Sequence, residues 1–223
     1  RARRRLDIGL KYGEAFTNKV AAIPGVIEAT LAGSTRRRRE TIGDLDVVVS
    51  VDDDDHESVA NAILNLNGIA DVKGAGDSKI SLILDTSIFE EGFTVGHIDS
   101  TVLEAIGGDD YEQLESGGTI DAQVRLVPPH VAAFTLAYFT GSKEHNIAMR
   151  QRAISRGLRL NEFGLIPENK AGDLKGMAAA QYSLAATSEQ EIYAHLGMQW
   201  VTPELREDTG EVSAAEANNL PTL

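Results

Sequence analysis

The sequence predicts an α+β fold in two lobes, an α/β lobe to about residue 127 and a mostly helical lobe to about residue 200. Three observations carry this. The β-branched run Asp44-Leu-Asp-Val-Val-Val-Ser-Val51 reads as a buried strand set among segments of helical period. At Pro128-Pro129 the period switches, and most of the chain beyond it is helical. The chain has 223 residues, 42% of them hydrophobic, which suffices to close a core and excludes wholesale disorder.

Taken in order, Asp7 to Ala22 repeats its apolar positions at helical spacing and stops at Pro24-Gly25. Val26 to Ala32 alternates as a strand and breaks at Gly33-Ser34. The strand Asp44–Val51 comes next, then a helix from His56 to Leu66, then strands at Lys79–Leu84 and Thr119–Val127. Residues 85–118 are weakly periodic and read as an insertion. In the second lobe, Val131–Phe139 and Ser142–Arg156 are helices, the latter capped by Ser142. Gly157 to Ile166 alternates like a hairpin, and Leu174–Ala186 and Glu189–Leu196 read as helices, the second capped by Ser188. From Thr202 onward the chain is polar and acidic and reads as a linker.

The absence of cysteine excludes disulfides, thiolate metal sites and Cys nucleophiles. No apolar run approaches the ~18 residues of a membrane span, and no signal peptide is evident, so the default compartment is the cytoplasm. The formal charge of −13 argues against a nucleic-acid partner until it is mapped along the chain. Residues 1–40 carry a net +6 and residues 143–159 a net +4, against an acidic remainder.

The informative stretch is Gly33-Ser34-Thr35-Arg36-Arg37-Arg38-Arg39-Glu40-Thr41-Ile42-Gly43-Asp44-Leu45-Asp46. On a strand, residues i and i+2 share a face, so Asp44 and Asp46 stand side by side. Such a pair repels itself unless a cation is shared, and hard oxygen pairs suit Mg²⁺, with Mn²⁺ as the alternative. Gly33 and Ser34 can offer backbone N–H groups and a hydroxyl to a phosphate, with Arg36 or Arg37 supplying charge. Singly, each feature is more often a solvated edge or surface. Together they are the equipment of phosphoryl transfer.

These residues resemble the GS…R…GDxD signature of the family X DNA polymerases, the group of DNA polymerase beta. Leu136-Ala-Tyr-Phe-Thr-Gly-Ser-Lys-Glu-His-Asn146, Arg150-Gln-Arg-Ala-Ile154, Leu158-Arg-Leu-Asn-Glu-Phe-Gly164 and Gly197-Met-Gln-Trp-Val-Thr-Pro-Glu-Leu-Arg-Glu207 continue the resemblance. It implies a nucleotidyltransferase palm, a mixed β-sheet with helices on one face, over 1–127, and a mainly helical thumb over 128–201. An acidic linker, 202–223, would lead to a PHP phosphoesterase domain outside this palm-and-thumb portion. By that resemblance Ser34, Arg37 and Gly43 hold an incoming triphosphate, and Asp44 and Asp46 bind metal. Tyr138, Phe139 and Gly141 pack against the sugar, Asn146 reads the incoming base in the minor groove, and Arg150 meets the template. Lys143 and His145, on the same basic helix, are further DNA-binding candidates, and Arg125 is expected to pair with Glu162. The implied partners are dNTP and gapped or primed DNA, for a monomer with no membrane contact.

One departure matters. Counting back from Arg125 and Pro128 puts Gln123 where the family carries a third catalytic Asp. An amide cannot accept the proton of an attacking hydroxyl. Asp121, two residues earlier and about 6.5 Å along the strand, is the candidate replacement if a bulge brings it into register; Asp99 is a remoter one. The sequence therefore predicts a DNA polymerase core that is impaired at this position, or a catalytically crippled nucleotide- and DNA-binding module. A small-molecule nucleotidyltransferase is a third reading, which the DNA-type thumb disfavours.

The acidic surplus, with Arg over Lys by 14 to 7, fits a protein adapted to a high-salt cytoplasm. An unfolding midpoint that rises with molar KCl is expected; one that stays flat contradicts the adaptation.

Overall fold

The computed structural model describes residues 4–89 and 118–220. A short strand, β1 (Arg4–Arg5), leads into helix α1 (Leu6–Ala21) and strand β2 (Val26–Leu31). A single helical turn, α2 (Gly33–Arg36), is followed by β3 (Thr41–Ile42), β4 (Asp44–Val51) and α3 (His56–Leu64). Strands β5 (Ile69–Ala75), β6 (Lys79–Asp85) and β7 (Thr119–Val127) complete the first lobe. Asp99 and most of the expected insertion fall at 90–117, outside the described residues.

Five strands form one sheet in the order β2-β4-β7-β6-β5, antiparallel throughout except for the parallel pair β4/β7. Alternation decides which face is core. Leu45, Val47, Val49 and Val51 of β4 meet Phe16 and Val20 of α1 and Val59 and Ile63 of α3. Each such aliphatic burial contributes about 1.5–3 kcal/mol. The opposite face carries Asp44, Asp46 and Val48, and it is there that the second lobe docks.

That lobe opens with α4 (Pro129–Thr140), whose first position is a proline, as suits a helix start. Val131 of α4 packs with Val48, Val127, Ala32 and Ala180 against the sheet. Helix α5 (Lys143–Ile154) is capped by Ser142, whose hydroxyl accepts from the His145 amide at 3.2 Å. The hairpin β8 (Leu158–Asn161) and β9 (Gly164–Pro167), short helices α6 (Glu168–Ala171) and α7 (Gly176–Ala180), and α8 (Glu189–His195) complete the order. Phe134, Met149, Leu165, Ile192, Tyr193, Leu196 and Met198 close the thumb core.

Among the elements that differ from expectation, three have a plain physical cause. Strand β5 is exposed along nearly its whole length and its pairing is interrupted by register shifts, so it lacks the alternation that marks a strand. The helix expected over 174–186 is confined to Gly176–Ala180; Gly172 and Gly176, both at positive φ, set its start. The expected linker is folded. Pro203–Leu205 forms a 3-10 turn and Glu211–Glu216 forms a helix, α9, with Arg206, Glu211 and Ala215 buried. Polar residues there are satisfied by partners inside the thumb, which composition alone does not display.

The lobes are joined by charge as well as by packing. Arg36 donates to both oxygens of Glu189, at 2.9 and 2.7 Å, and Arg206 approaches the same carboxylate at 2.7 and 3.2 Å. Arg37 pairs with Glu207 at 2.7 Å and Arg38 with Glu204 at 3.4 Å. The arginine run is therefore met by thumb carboxylates.

Burial would push Glu189 up, but the hydrogen bonds from Arg36 and Arg206 hold it down to about 2. A carboxylate lowered in the folded state contributes stability above its unfolded value, and this is lost as pH falls from about 4.5 towards 2. Glu189→Gln, which leaves two guanidinium groups without their anion, is expected to cost roughly 3–5 kcal/mol in urea unfolding at pH 7. It should also flatten the acid limb of the stability curve, and an unchanged urea midpoint would contradict the clamp.

Candidate functional site

Register assembles the site. In the parallel β4/β7 pair Asp44 lies across from Asp121, Asp46 from Gln123, and Val48 from Arg125. In the β6/β7 pair Ser81 lies across from Gln123 and Lys79 from Arg125. Strands stand about 4.8 Å apart and paired residues share a face, so these side chains form a grid on the face away from α1 and α3. The pairing runs unbroken from Asp44 with Asp121 to Ser50 with Val127. The bulge that would carry Asp121 into the place of Gln123 is absent. Asp121 stands beside Asp44 and accepts a hydrogen bond from Lys73 Nζ at 2.6 Å.

Asp46 is the most perturbed group on this face. Burial, and then the adjacent Asp44 carboxylate, push it up to about 6, while Arg125, Lys79 and Arg37 pull the other way. Gly33, at φ +65°, lies under it; a Cβ at this position would strike the Asp46 carboxylate. Glycine here serves both backbone conformation and close approach. Ser34 is half-buried, and space above Gly43 is open, with nothing within 4 Å of an added Cβ.

Among the described residues no group of three or more His, Asp or Glu side chains is placed to hold a metal ion. The two-carboxylate set Asp44 and Asp46 nonetheless fits Mg²⁺. Its donors are hard oxygens, their mutual repulsion raises Asp46, and Mg²⁺ commonly takes only one or two carboxylates and completes its shell with water and substrate phosphate.

The end of α4 reaches the site from the thumb. The rings of Tyr138 and Phe139 meet edge to face, 5.0 Å apart, and the Arg125 guanidinium lies 4.1 Å over Phe139. Beside this stacking, the interaction expected between Arg125 and Glu162 persists as one of charge: burial pushes Arg125 down, and Asp46 and then Glu162 act on it in the opposite sense. Arg37 donates from Nη1 to the Thr140 carbonyl, and Gly141, at φ +66°, passes so close that a Cβ would sit 3.2 Å from that nitrogen. Asn146 donates to the Tyr138 carbonyl at 2.8 Å. Asn146 and Arg150 line a cavity of about 30 Å³ with Tyr138 and Asn161. Lys143 is exposed at the start of α5.

His145 does not belong with them. It is 2% exposed, with Nδ1 at 2.6 Å from Glu211 and Nε2 at 2.8 Å from the Tyr193 hydroxyl. Its place on α5, three residues after the cap, turns its ring into the thumb core rather than towards the exposed face that carries Lys143. Lys73, Lys79 and Glu207 join the site without having been expected from the sequence. The two lysines lie on neighbouring strands and reach the site face; the alternation Lys79-Ile-Ser81-Leu was the available signal for one of them.

The thumb and the whole chain have relatives. Residues 135–207 match the DNA polymerase beta thumb family. The chain is 33% identical over 211 residues to DNA polymerase/3′-5′ exonuclease PolX of Bacillus subtilis (strain 168), covering 93% of this chain and 30% of that protein. It is 30% identical over 185 residues to DNA polymerase lambda of Arabidopsis thaliana, covering 82% of this chain and 32% of that one. It thus spans about a third of the length of these curated relatives. Leishmania infantum polymerase beta has the same fold. Its ternary P/T complex superposes with a TM-score of 0.68 at 20% identity, covering 92% of this chain and 77% of that one. For its ternary gap complex the TM-score is 0.69 at 19% identity, with 92% and 71% covered. Sequence and fold together make the chain similar to DNA polymerases of the polymerase beta kind, with the family match lying in the second lobe. The thumb match runs to Glu207, past the boundary expected at 201. Among the described residues no helix is long and apolar enough to cross a membrane.

A carboxyl group raised in the folded state favours folding below its unfolded value and loses that contribution as pH rises through about 6. At pH 7.5 in EDTA the ionised Asp46 therefore costs up to about 3 kcal/mol. Asp46→Asn is expected to raise the melting temperature under those conditions and to give no gain at pH 4. A variant that melts at or below wild type at pH 7.5 contradicts the raised carboxyl.

Proposed function

We propose that this chain is the core of a repair-type DNA polymerase, transferring a deoxynucleotide from dNTP to the 3′-OH of a primer in gapped DNA. The observation that carries the proposal is the pairing of Asp44 and Asp46 on one face, beside Gly33, Ser34 and Arg37, with a polymerase beta thumb behind them. Asp44 and Asp46 would hold Mg²⁺ or Mn²⁺, which supplies charge neutralisation at the triphosphate. Ser34 and Arg37 bind phosphate oxygens, Arg37 with donors beyond those given to Thr140 and Glu207. Tyr138, Phe139 and Gly141 border the sugar. Lys143 and Arg150 favour a DNA backbone over a free nucleotide as the second substrate. The relatives named DNA polymerase, and the ternary complexes of the Leishmania enzyme, support the same substrates.

The proton of the 3′-OH is the weak step. Gln123 stands beside Asp46 and cannot accept it, and Asp121 is engaged by Lys73. Loss of a positioned acid/base group slows such a step roughly 10²–10⁴-fold. The same Lys73–Asp121 pair favours the second reading, a module that binds nucleotide and gapped DNA without turnover.

Single-nucleotide extension of a gapped primer, in Mg²⁺ and in Mn²⁺, tests both. Slow extension by wild type is expected, faster by at least tenfold in Gln123→Asp, little changed in Asp121→Ala and lost in Asp44→Ala. Binding without extension in either metal decides for the crippled module. Full extension by Asp44→Ala would overturn the proposal.

A further inference from the structure

Arg37 is not a loose cation waiting for a ligand. Its side chain is 14% exposed and fixed at two edges: Nε donates to Glu207 at 2.7 Å, and Nη1 donates to the Thr140 carbonyl. A guanidinium has five N–H donors in one plane, so two contacts on different edges define its orientation and leave three donors for an anion. Glu207 is itself firmly mounted. The residue before it, Arg206, is buried and bound through its side chain to Glu189, and its carbonyl accepts from the Ser142 amide at 2.9 Å. On the other side, Glu211 accepts from the amides of Asp208 and Thr209 at 3.0 and 2.7 Å and from His145. Both ends of the turn that carries Glu207 are thus anchored in the thumb.

We infer that Glu207 is a positioning residue for nucleotide binding: it holds the Arg37 fork in the orientation that receives a triphosphate, so the acidic end of the thumb is part of the nucleotide site. The inference rests on the proposed binding of triphosphate by Arg37. Two opposed effects meet at Glu207. Its hydrogen bond spares Arg37 the conformational entropy of being ordered by the ligand, while its negative charge repels an incoming phosphate. The charge is blunted because Glu207 is shared with Arg39, 3.7 Å away, and is 22% exposed to screening solvent. The hydrogen bond is direct and undiluted. Orientation outweighs repulsion.

Charge and hydrogen bond separate in two variants. Glu207→Ala removes both; Glu207→Gln removes the charge and keeps a carbonyl that can accept from Nε. The measurement is the calorimetric Kd of dNTP, with Mg²⁺, for the chain bound to a gapped duplex whose primer ends in a dideoxynucleotide, with DNA affinity measured alongside. Glu207→Ala is expected to weaken dNTP binding about five- to tenfold, an ordinary penalty for freeing one long side chain. Glu207→Gln should stay within about twofold of wild type, and DNA affinity should hold in both. Equal weakening in the two variants, no weakening in either, tighter dNTP binding in both, or a parallel fall in DNA affinity overturns the inference. Arg37→Ala separates the two levels. If it weakens dNTP binding while Glu207→Ala does not, only the positioning role fails. If it has no effect, or wild type binds no dNTP, the nucleotide reading fails first.

Discussion

Of four consecutive guanidinium groups, Arg36 to Arg39, the first two are largely buried and must be met by anions if the loop that carries them is to pack. The thumb supplies the anions. Glu189 takes Arg36, Glu204 takes Arg38, and Glu207 takes Arg37 and reaches Arg39. Buried ion pairs seldom add much stability over a well-packed apolar substitute, because desolvation offsets the attraction. Their consequence here is placement. The loop between β2 and β4 is held at the end of α4, Arg206 closes the cluster from behind, and the segment after α8 is drawn into the fold. Remove the pairing, and the arginine loop is tied to the second lobe only through the apolar contact of Ala32 with Val131 and through Thr140.

The second constraint is the parallel register of β4 and β7. It sets Asp44 beside Asp121 and Asp46 beside Gln123 and allows no slip, because a one-residue shift would turn Leu45, Val47 and Val49 out of the core. The carboxylates at the site are thus fixed by the hydrophobic pattern on the opposite face of the same strand. Asp46 bears the cost. It is half-buried, lies next to a like charge and faces three cations.

Much of this was legible in the sequence. The strand Asp44–Val51, the Gly33-Ser34 break, the caps at Ser142 and Ser188 and the hairpin at 157–166 all obey local rules of period, propensity and capping. The features that were not legible depend on partners distant in the chain. Glu204 to Glu216 reads as solvated linker because acidity looks the same whether a carboxylate faces water or Arg37. His145 reads as a DNA contact because its neighbours on α5 are basic, yet helical geometry turns it inward to Glu211 and Tyr193. Strand β5 hides because it is exposed on both faces, so no apolar-polar alternation is imposed on it. The replacement of a carboxylate by Gln123 was countable from Arg125 and Pro128, whereas the engagement of Asp121 by Lys73 required the neighbouring strand. The net charge of −13 hides the basic stretches at 1–40 and 143–159 for the same reason: composition records amounts, not placement.

The most direct test of the Asp44–Asp46 site is the uptake of Mn²⁺ followed by the paramagnetic resonance of the free ion, with and without dNTP, in wild type and Asp44→Asn. Binding that tightens when dNTP is added and disappears in Asp44→Asn is the predicted result. Equal Mn²⁺ uptake by the two proteins, indifferent to dNTP, would contradict it.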